Sequence, residues 1–350
     1  MESSDNPQWA WLGLLKWSLS YSDGTRPSNV QMMSPEDRAF LEEVMKEGII
    51  DEGERMKYIL NKLTEALETY QQGKELNNTD FDELESLMME LRDIVEQIDF
   101  ARGFCAMKAV DFLLGCVQEE SVPLLIRMGC LGIMATLCQN NAPVQLEFLE
   151  KGAIRILSDL YFANEGTGTL KSKLIQSMSA VVRNHEMAES VLEQVDQGPA
   201  LMEDALKVEQ PESLRKRAIF FLRAFVTSDS SSRYRVRKFS SCVTYIIDEY
   251  LTIESPELRE LALDLLNQIL MQKISVNAIL DRKTSIAHLG VEKITALRSL
   301  DGEEREYAFT ELESWEMLMI QLARAIADEE EITMLLGNQP VSDSVETLPQ

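Results

Sequence analysis

Apolar residues recur three and four positions apart along most of this chain, and few segments alternate with a period of two. Gly, Pro, Asn and Ser break the pattern every 12 to 20 residues, a rhythm of amphipathic helices and short connections. Ser34-Pro35-Glu36-Asp37 reads as a helix start: Ser caps, Pro suits the first turn, and the acids complement the helix dipole. Phe40, Leu41, Val44 and Met45 form its stripe. Met56, Ile59, Leu60, Leu63 and Leu67 form a second stripe ending near Gly73. A third helix is predicted to open at Thr79 and to bury Leu84, Leu87, Leu91, Ile94, Val95 and Ile98.

A repeat follows. Lys108-Ala109-Val110, Gly152-Ala153-Ile154, Gly198-Pro199-Ala200 and Ser241-Cys242-Val243 each open a short apolar helix, at spacings of 44, 46 and 43 residues. Each unit closes with a longer helix: Val122 to Cys138, Leu170 to Asn184, Glu212 to Val226 and Pro256 to Met271. A helical period of about 40 to 47 residues marks armadillo and HEAT arrays. Such units cannot bury their apolar faces alone, so neighbours stack. The expected fold is all-α, an armadillo/HEAT-like right-handed superhelix with a flexible N-terminal segment. Its divisions are residues 1–30, a segment bearing a Trp/Leu motif; 31–78, N-terminal helices; 79–327, the repeat array; and 328–350, a polar tail.

Composition narrows the function. The formal charge is −25, from 34 Lys and Arg against 59 Asp and Glu. Nonspecific nucleic-acid binding needs a cationic surface, and so does docking on anionic membranes; neither is expected. The acidic, polar start lacks the basic residues of a secretory signal. The apolar stretch from Trp9 to Leu19 is too short to span a bilayer. Five cysteines without a CxxC pair read as reduced core thiols, and the compartment as cytoplasm or nucleus.

No catalytic motif stands out: there is no GxGxxG, GxxxxGKS or GxSxG. Gly166-Thr-Gly168 reads as a repeat loop needing only turn geometry. His185 and His288 have no metal-ligand spacing, and His185, ending a repeat helix, reads as a cation or capping donor. The chain is expected to be no enzyme and to need no cofactor or metal. Two features point to binding instead. Three of the four tryptophans, Trp9, Trp11 and Trp17, lie with Leu12, Leu14, Leu15 and Leu19 in an otherwise polar segment, an interaction motif or a cap on the array. Between Leu214 and Lys238, eight basic residues (Arg215, Lys216, Arg217, Arg223, Arg233, Arg235, Arg237, Lys238) face one acid, Asp229. They either pair within the molecule or dock an acidic partner.

Leu14-Leu15-Lys16-Trp17-Ser18-Leu19 resembles the Leu-Leu-x-Trp-Ser-Ile opening of the cytosolic armadillo-type nucleotide exchange factors of 70-kDa heat-shock chaperones, the heat-shock-protein-70-binding protein family. Met33-Ser34-Pro35-Glu36-Asp37-Arg38 is similar to that family's second element. Leu91 to Asp99 with Ala101, Thr136 to Gln145, and Lys151-Gly152-Ala153 are similar to its first armadillo units. The likeness covers most of residues 10–325 and departs at one place: Met128 stands where the family has Trp after Arg127, and Cys130-Leu131 where it has Ala-Ala.

The resemblance implies a mechanism. The armadillo body of such factors wraps one lobe of the chaperone's ATPase domain and displaces the other, disfavouring the cleft that holds ADP. The N-terminal segment, with Leu14, Leu15 and Trp17, competes for the chaperone's peptide groove and helps release polypeptide. The partner is then a 70-kDa chaperone and the factor a monomer. Exposed polar residues of the long helices are the expected contacts: Arg127, Gln139, Asn140, Lys173, Arg183, Asn184, Arg215, Arg223 and Asn267. Two rivals stand beside this reading. One is an armadillo scaffold without effect on nucleotide. The other is an importin-like carrier, which needs spaced Trp along its groove; no repeat helix before Trp315 has one.

Overall fold

A computed structural model describes residue 35 and residues 51–73, 77–163 and 168–337, the last seven by backbone alone. All regular elements among the described residues are helical. The chain divides into two units, residues 1–68 and 69–350. The N-terminal Trp/Leu motif, the Ser34 helix start and the Phe40 stripe lie outside the described residues.

The helix α1 (Glu52–Gln71), all but its last turn in the first unit, opens behind Asp51, whose Oδ1 accepts the amides of Gly53 and Glu54 at 3.0 and 3.1 Å. It buries Met56, Ile59, Leu63 and Leu67 along one stripe, as the period demands. Gly73, at φ +81°, takes the left-handed turn expected after it.

The second unit begins with α2 (Asn78–Val95), fixed by a capping box in which Asn77 and Asp80 bond each other's backbone at 3.0 and 2.9 Å. Leu84, Leu87, Leu91, Ile94 and Val95 are buried as predicted, but Ile98 is 49% exposed. Gln97 is extended there, so Ile98 starts α3 (Ile98–Ala106) rather than prolonging the stripe.

Four three-helix units follow. The first is α3, α4 (Ala109–Gln118) and α5 (Leu124–Leu137). The second is α6 (Ala142–Glu150), α7 (Ala153–Ala163) and α8 (Gly168–Val182). Next come α9 (Glu186–Gln194), α10 (Gly198–Leu206) and α11 (Glu212–Val226). The fourth is α12 (Arg233–Lys238), α13 (Ser240–Tyr245), which runs into a π-turn over Ile246–Tyr250, and α14 (Pro256–Gln272). The sequence pattern showed two helices per unit; α6, α9 and α12 add a third, short one. The array closes with α15 (Asn277–Leu280), α16 (Lys283–Arg298), α17 (Gly302–Tyr307) and α18 (Phe309–Gly337). α18 continues as helix across the boundary expected after Ala327, because no glycine or proline interrupts it before Gly337.

The helices α5, α8, α11 and α14 start at Leu124, Gly168, Glu212 and Pro256, 44 residues apart each time. Side-chain bonds to backbone run across the units at nearly that interval, 45 or 46 residues. Ser177 donates to the Leu131 carbonyl at 2.8 Å, Arg217 to that of Ser172 at 3.2 Å and Lys238 to that of Glu193 at 2.6 Å. Gln145, buried, donates to the carbonyls of Ala180 and Arg183 at 2.8 and 2.9 Å, closing the end of α8. Phe225 stacks edge-on against Phe239 at 5.2 Å between centroids, joining the third unit to the fourth.

Small structural demands account for several residues that might have carried chemistry. Gly168 lies where a Cβ would meet the Pro211 ring at 2.2 Å, so close helix packing, not a loop turn, requires it. His185 does not cap a helix end as a donor. It starts α9, its Nδ1 accepting the Ala188 amide at 3.2 Å. The five cysteines are free, four of them buried. Burial pushes the Cys105 thiol up to about 11 and the Cys242 thiol to about 12, so both stay protonated and unreactive at neutral pH.

Candidate partner-binding groove

The long helices α2, α5, α8, α11, α14 and α18 pack each on the next, forming one face of the second unit. Their outward residues line three hollows in succession. The first, about 240 Å³, lies between α2, α5 and α8 and is walled by Glu85, Met88, Met89, Met128, Arg92 and Lys173. The central one, about 380 Å³, lies between α5, α8 and α11 and is walled by Gln139, Gln176, Arg183, Arg217 and Phe220. The third, about 530 Å³, lies between α14 and α18 and carries Glu257, Glu260, Asp264, Glu313 and Met317.

The sequence explains why these side chains point outward. In α11, Leu214, Ala218, Phe221, Leu222 and Phe225 fill the core stripe, which leaves Lys216, Arg217, Phe220 and Arg223 off it. Phe220 remains 36% exposed and is flanked by two guanidinium groups, Arg183 at 4.9 Å and Arg223 at 5.4 Å from its ring centroid. Such stacking holds the cations flat and leaves their N–H edges free to bond outward. Burial and the nearby Arg217 and Arg92 hold the Lys173 ammonium below its ordinary range. Burial and Arg223 do the same to Arg183. At the other end, burial and the Glu311 charge push the Glu260 carboxyl up.

The residues expected as contacts separate on this frame. Gln139 and Arg183 meet in the central hollow, Lys173 lies in the first and Asn267 in the third. Arg223 reaches across to Asp264 on α14. Asn140 and Asn184 are exposed but hold φ of +52° and +59° just past the ends of α5 and α8; asparagine tolerates that left-handed geometry, which suffices to explain both. Arg127 is not an exposed groove residue. It is buried, its Nε donating to the Val117 carbonyl at 3.1 Å, and ties α5 to the end of α4. Asn267, also buried, donates to the Ser314 carbonyl at 3.0 Å. Arg215 is half-buried, its Nε is left without a hydrogen-bond partner among the described residues, and it lines none of the three hollows.

The basic run from Arg215 to Lys238 likewise divides. Arg235 is buried, bonded to Glu189 at 2.7 Å and Glu193 at 2.8 Å, and Lys216 is paired with Glu212 and Glu257. Arg217 has Gln176 and a carbonyl for partners, but no carboxylate among the described residues. Arg92 and Phe220 were not singled out from sequence. Both carry a signal all the same: each falls off its helix's apolar stripe at a position facing the next long helix. Among the described residues, no cluster of three or more His, Cys, Asp or Glu side chains could hold a metal ion, and no helix is long and apolar enough to cross a membrane.

This arrangement of stacked three-helix units with a lined groove has sequence and structural counterparts. The chain resembles Hsp70-binding protein 1. It is 30% identical to the Mus musculus protein over 177 residues, half of this chain and 49% of that one. To the Macaca fascicularis protein it is 26% identical over 224 residues, 63% of this chain and 60% of that one. The chain thus matches about half the length of these Hsp70-binding proteins. No protein-family model matches it. Among solved structures, a designed armadillo repeat protein superposes with a TM-score of 0.53 at 13% identity, over 73% of this chain and 98% of its own. A second designed armadillo repeat protein, solved in complex with the peptide (KR)4, does so at 0.53 and 14%, over 74% of this chain and 98% of its own. These likenesses identify the fold as armadillo-like.

Proposed function

We propose that this chain is a co-chaperone that binds the ATPase domain of a 70-kDa heat-shock chaperone along the long-helix groove and promotes ADP release. The observation that carries the reading is the similarity to Hsp70-binding protein 1; the armadillo-like array, which supplies a long lined groove, supports it. In this reading the protein acts as a monomer in the cytoplasm, without a cofactor. The N-terminal Leu14, Leu15 and Trp17 segment assists release of bound polypeptide from the chaperone.

The mechanism needs no catalytic side chain. A groove that fits the opened arrangement of the ATPase lobes better than the closed one shifts that population by its differential affinity alone. Coupling is reciprocal, so nucleotide weakens factor binding by the factor to which factor weakens nucleotide. A thousandfold loosening of ADP takes about 4 kcal/mol of differential binding. Titration of the chaperone's ATPase domain with this protein, in saturating ADP and in nucleotide-free buffer, tests the reading. Affinity should fall sharply with ADP. Equal affinity in both buffers would leave a scaffold with no effect on nucleotide.

A further inference from the structure

The groove changes sign along its length. Over the first two hollows it carries Arg92, Lys173, Arg183 and Arg217 against a single lining carboxylate, Glu85, and none of these four cations has a carboxylate within ion-pair distance among the described residues. A chain with 59 acids could readily supply one. It does so toward α14, where Lys216, at the edge of the central hollow, meets Glu212 and Glu257, and Arg223 meets Asp264. Instead the groove cations crowd one another: burial and like charges hold Lys173 and Arg183 below their ordinary ranges. Packing alone would not select that arrangement, since like charges in a half-buried hollow destabilise the free protein. A bound anion relieves it.

The third hollow excludes a uniformly acidic occupant. Glu257, Glu260 and Glu313 line it, and burial already disfavours the charge on Glu260. An extended acidic tail lying along the whole groove would meet these carboxylates. A folded surface can be acidic at one end and neutral or basic at the other.

We propose that the groove over α5, α8 and α11 receives a carboxylate-rich ridge of a folded protein partner, its Asp or Glu side chains seated between Lys173, Arg183 and Arg217. The Arg183 guanidinium, stacked on Phe220, presents its edge to that ridge while Arg223 stays paired with Asp264, and the acidic third hollow fixes which way round the partner lies. This rests on the reading of the groove as the chaperone-docking face and names the chemistry of the surface it takes.

Two measurements test it on the full chain. In the first, fluorescein-labelled hexaglutamate, with hexaserine as the neutral comparison, is titrated by fluorescence anisotropy at low ionic strength. Long-range charge on this protein repels an anionic peptide, so binding reports the local patch. Hexaglutamate should bind and hexaserine should not. The pair Lys173→Gln and Arg183→Gln should weaken hexaglutamate about tenfold, while Arg102→Gln with Arg237→Gln, exposed cations on α3 and α12, should not. In the second, stopped-flow association with the chaperone's ATPase domain should slow several-fold in the groove pair, with a flatter dependence on ionic strength. Thermal melts of both pairs confirm that the fold is retained. The proposal is overturned if hexaglutamate binds no better than hexaserine, or if both pairs weaken it equally. Association of the groove pair that matches the unaltered protein across salt also overturns it. Hexaglutamate binding with no chaperone binding would sink the chaperone reading and leave the anion-seeking groove standing.

Discussion

Arg235 and Arg183 are both cations of the repeat array, yet replacing each by Met should have opposite consequences. The Arg235 side chain is 2% exposed, as is that of Glu189, and Glu193 is 18% exposed. Arg235 also donates to the Phe225 carbonyl at 3.1 Å and to Ser228 at 2.9 Å, with its guanidinium 4.5 Å from the Phe225 ring centroid. Arg235→Met keeps the length of the side chain but strands a buried carboxylate, Glu189, and a partly buried one, Glu193. Breaking a buried pair in this way costs about 3–5 kcal/mol. At about 2 °C per kcal/mol for a unit of this size, melting should fall by roughly 6–10 °C. Replacing Arg235, Glu189 and Glu193 together by apolar residues should recover most of that loss, because no charge is then left uncompensated. Arg183→Met removes a cation that has no carboxylate partner, so melting should hold or rise slightly. Circular-dichroism melts of the single and triple variants check this. Arg235→Met melting with the unaltered protein, or Arg183→Met falling as far, would refute the division of the array's cations into structural ones and groove ones.

Two further outcomes are expected. Gly168→Ala places a Cβ 2.2 Å from Cγ of the Pro211 ring, which cannot rotate away; overpacking should cost about 1–3 kcal/mol despite the gain in helix propensity. Gly115→Ala, with nothing within 4 Å, should instead stabilise, and urea midpoints of the two variants separate the effects. Deleting residues 1–30, or replacing Leu14, Leu15 and Trp17 together by Ser, should leave melting and ADP release nearly unchanged but impair displacement of a chaperone-bound peptide. A large fall in melting temperature with peptide release intact would mean that the segment caps the array.

The fold was largely legible because stacking leaves a strong imprint. Each long helix carries a full apolar stripe, and the glycines and left-handed residues that precede the short ones, such as Gly152 and Lys108, recur at the repeat interval. The short helices α6, α9 and α12 were missed for a physical reason. At six to nine residues they bury little, and polar residues such as Gln145, Glu189 and Arg235 hold them through long-range bonds that a local pattern does not register. The same cause misplaced parts of the groove. Arg127 and Arg235 look like surface cations until the carbonyl or carboxylate across the unit boundary is visible. Lys173 and Arg183, by contrast, were legible as outward residues of α8, but that they lack a carboxylate is a statement about neighbours some 40 residues away.

The most direct test of the account is stopped-flow release of a fluorescent ADP from a 70-kDa heat-shock chaperone, with and without this protein. Release should accelerate with rising concentration of the protein and saturate. The Lys173→Gln, Arg183→Gln pair should need more protein to reach the same rate. Release at the chaperone's intrinsic rate, at concentrations where the two proteins are bound, would contradict the account.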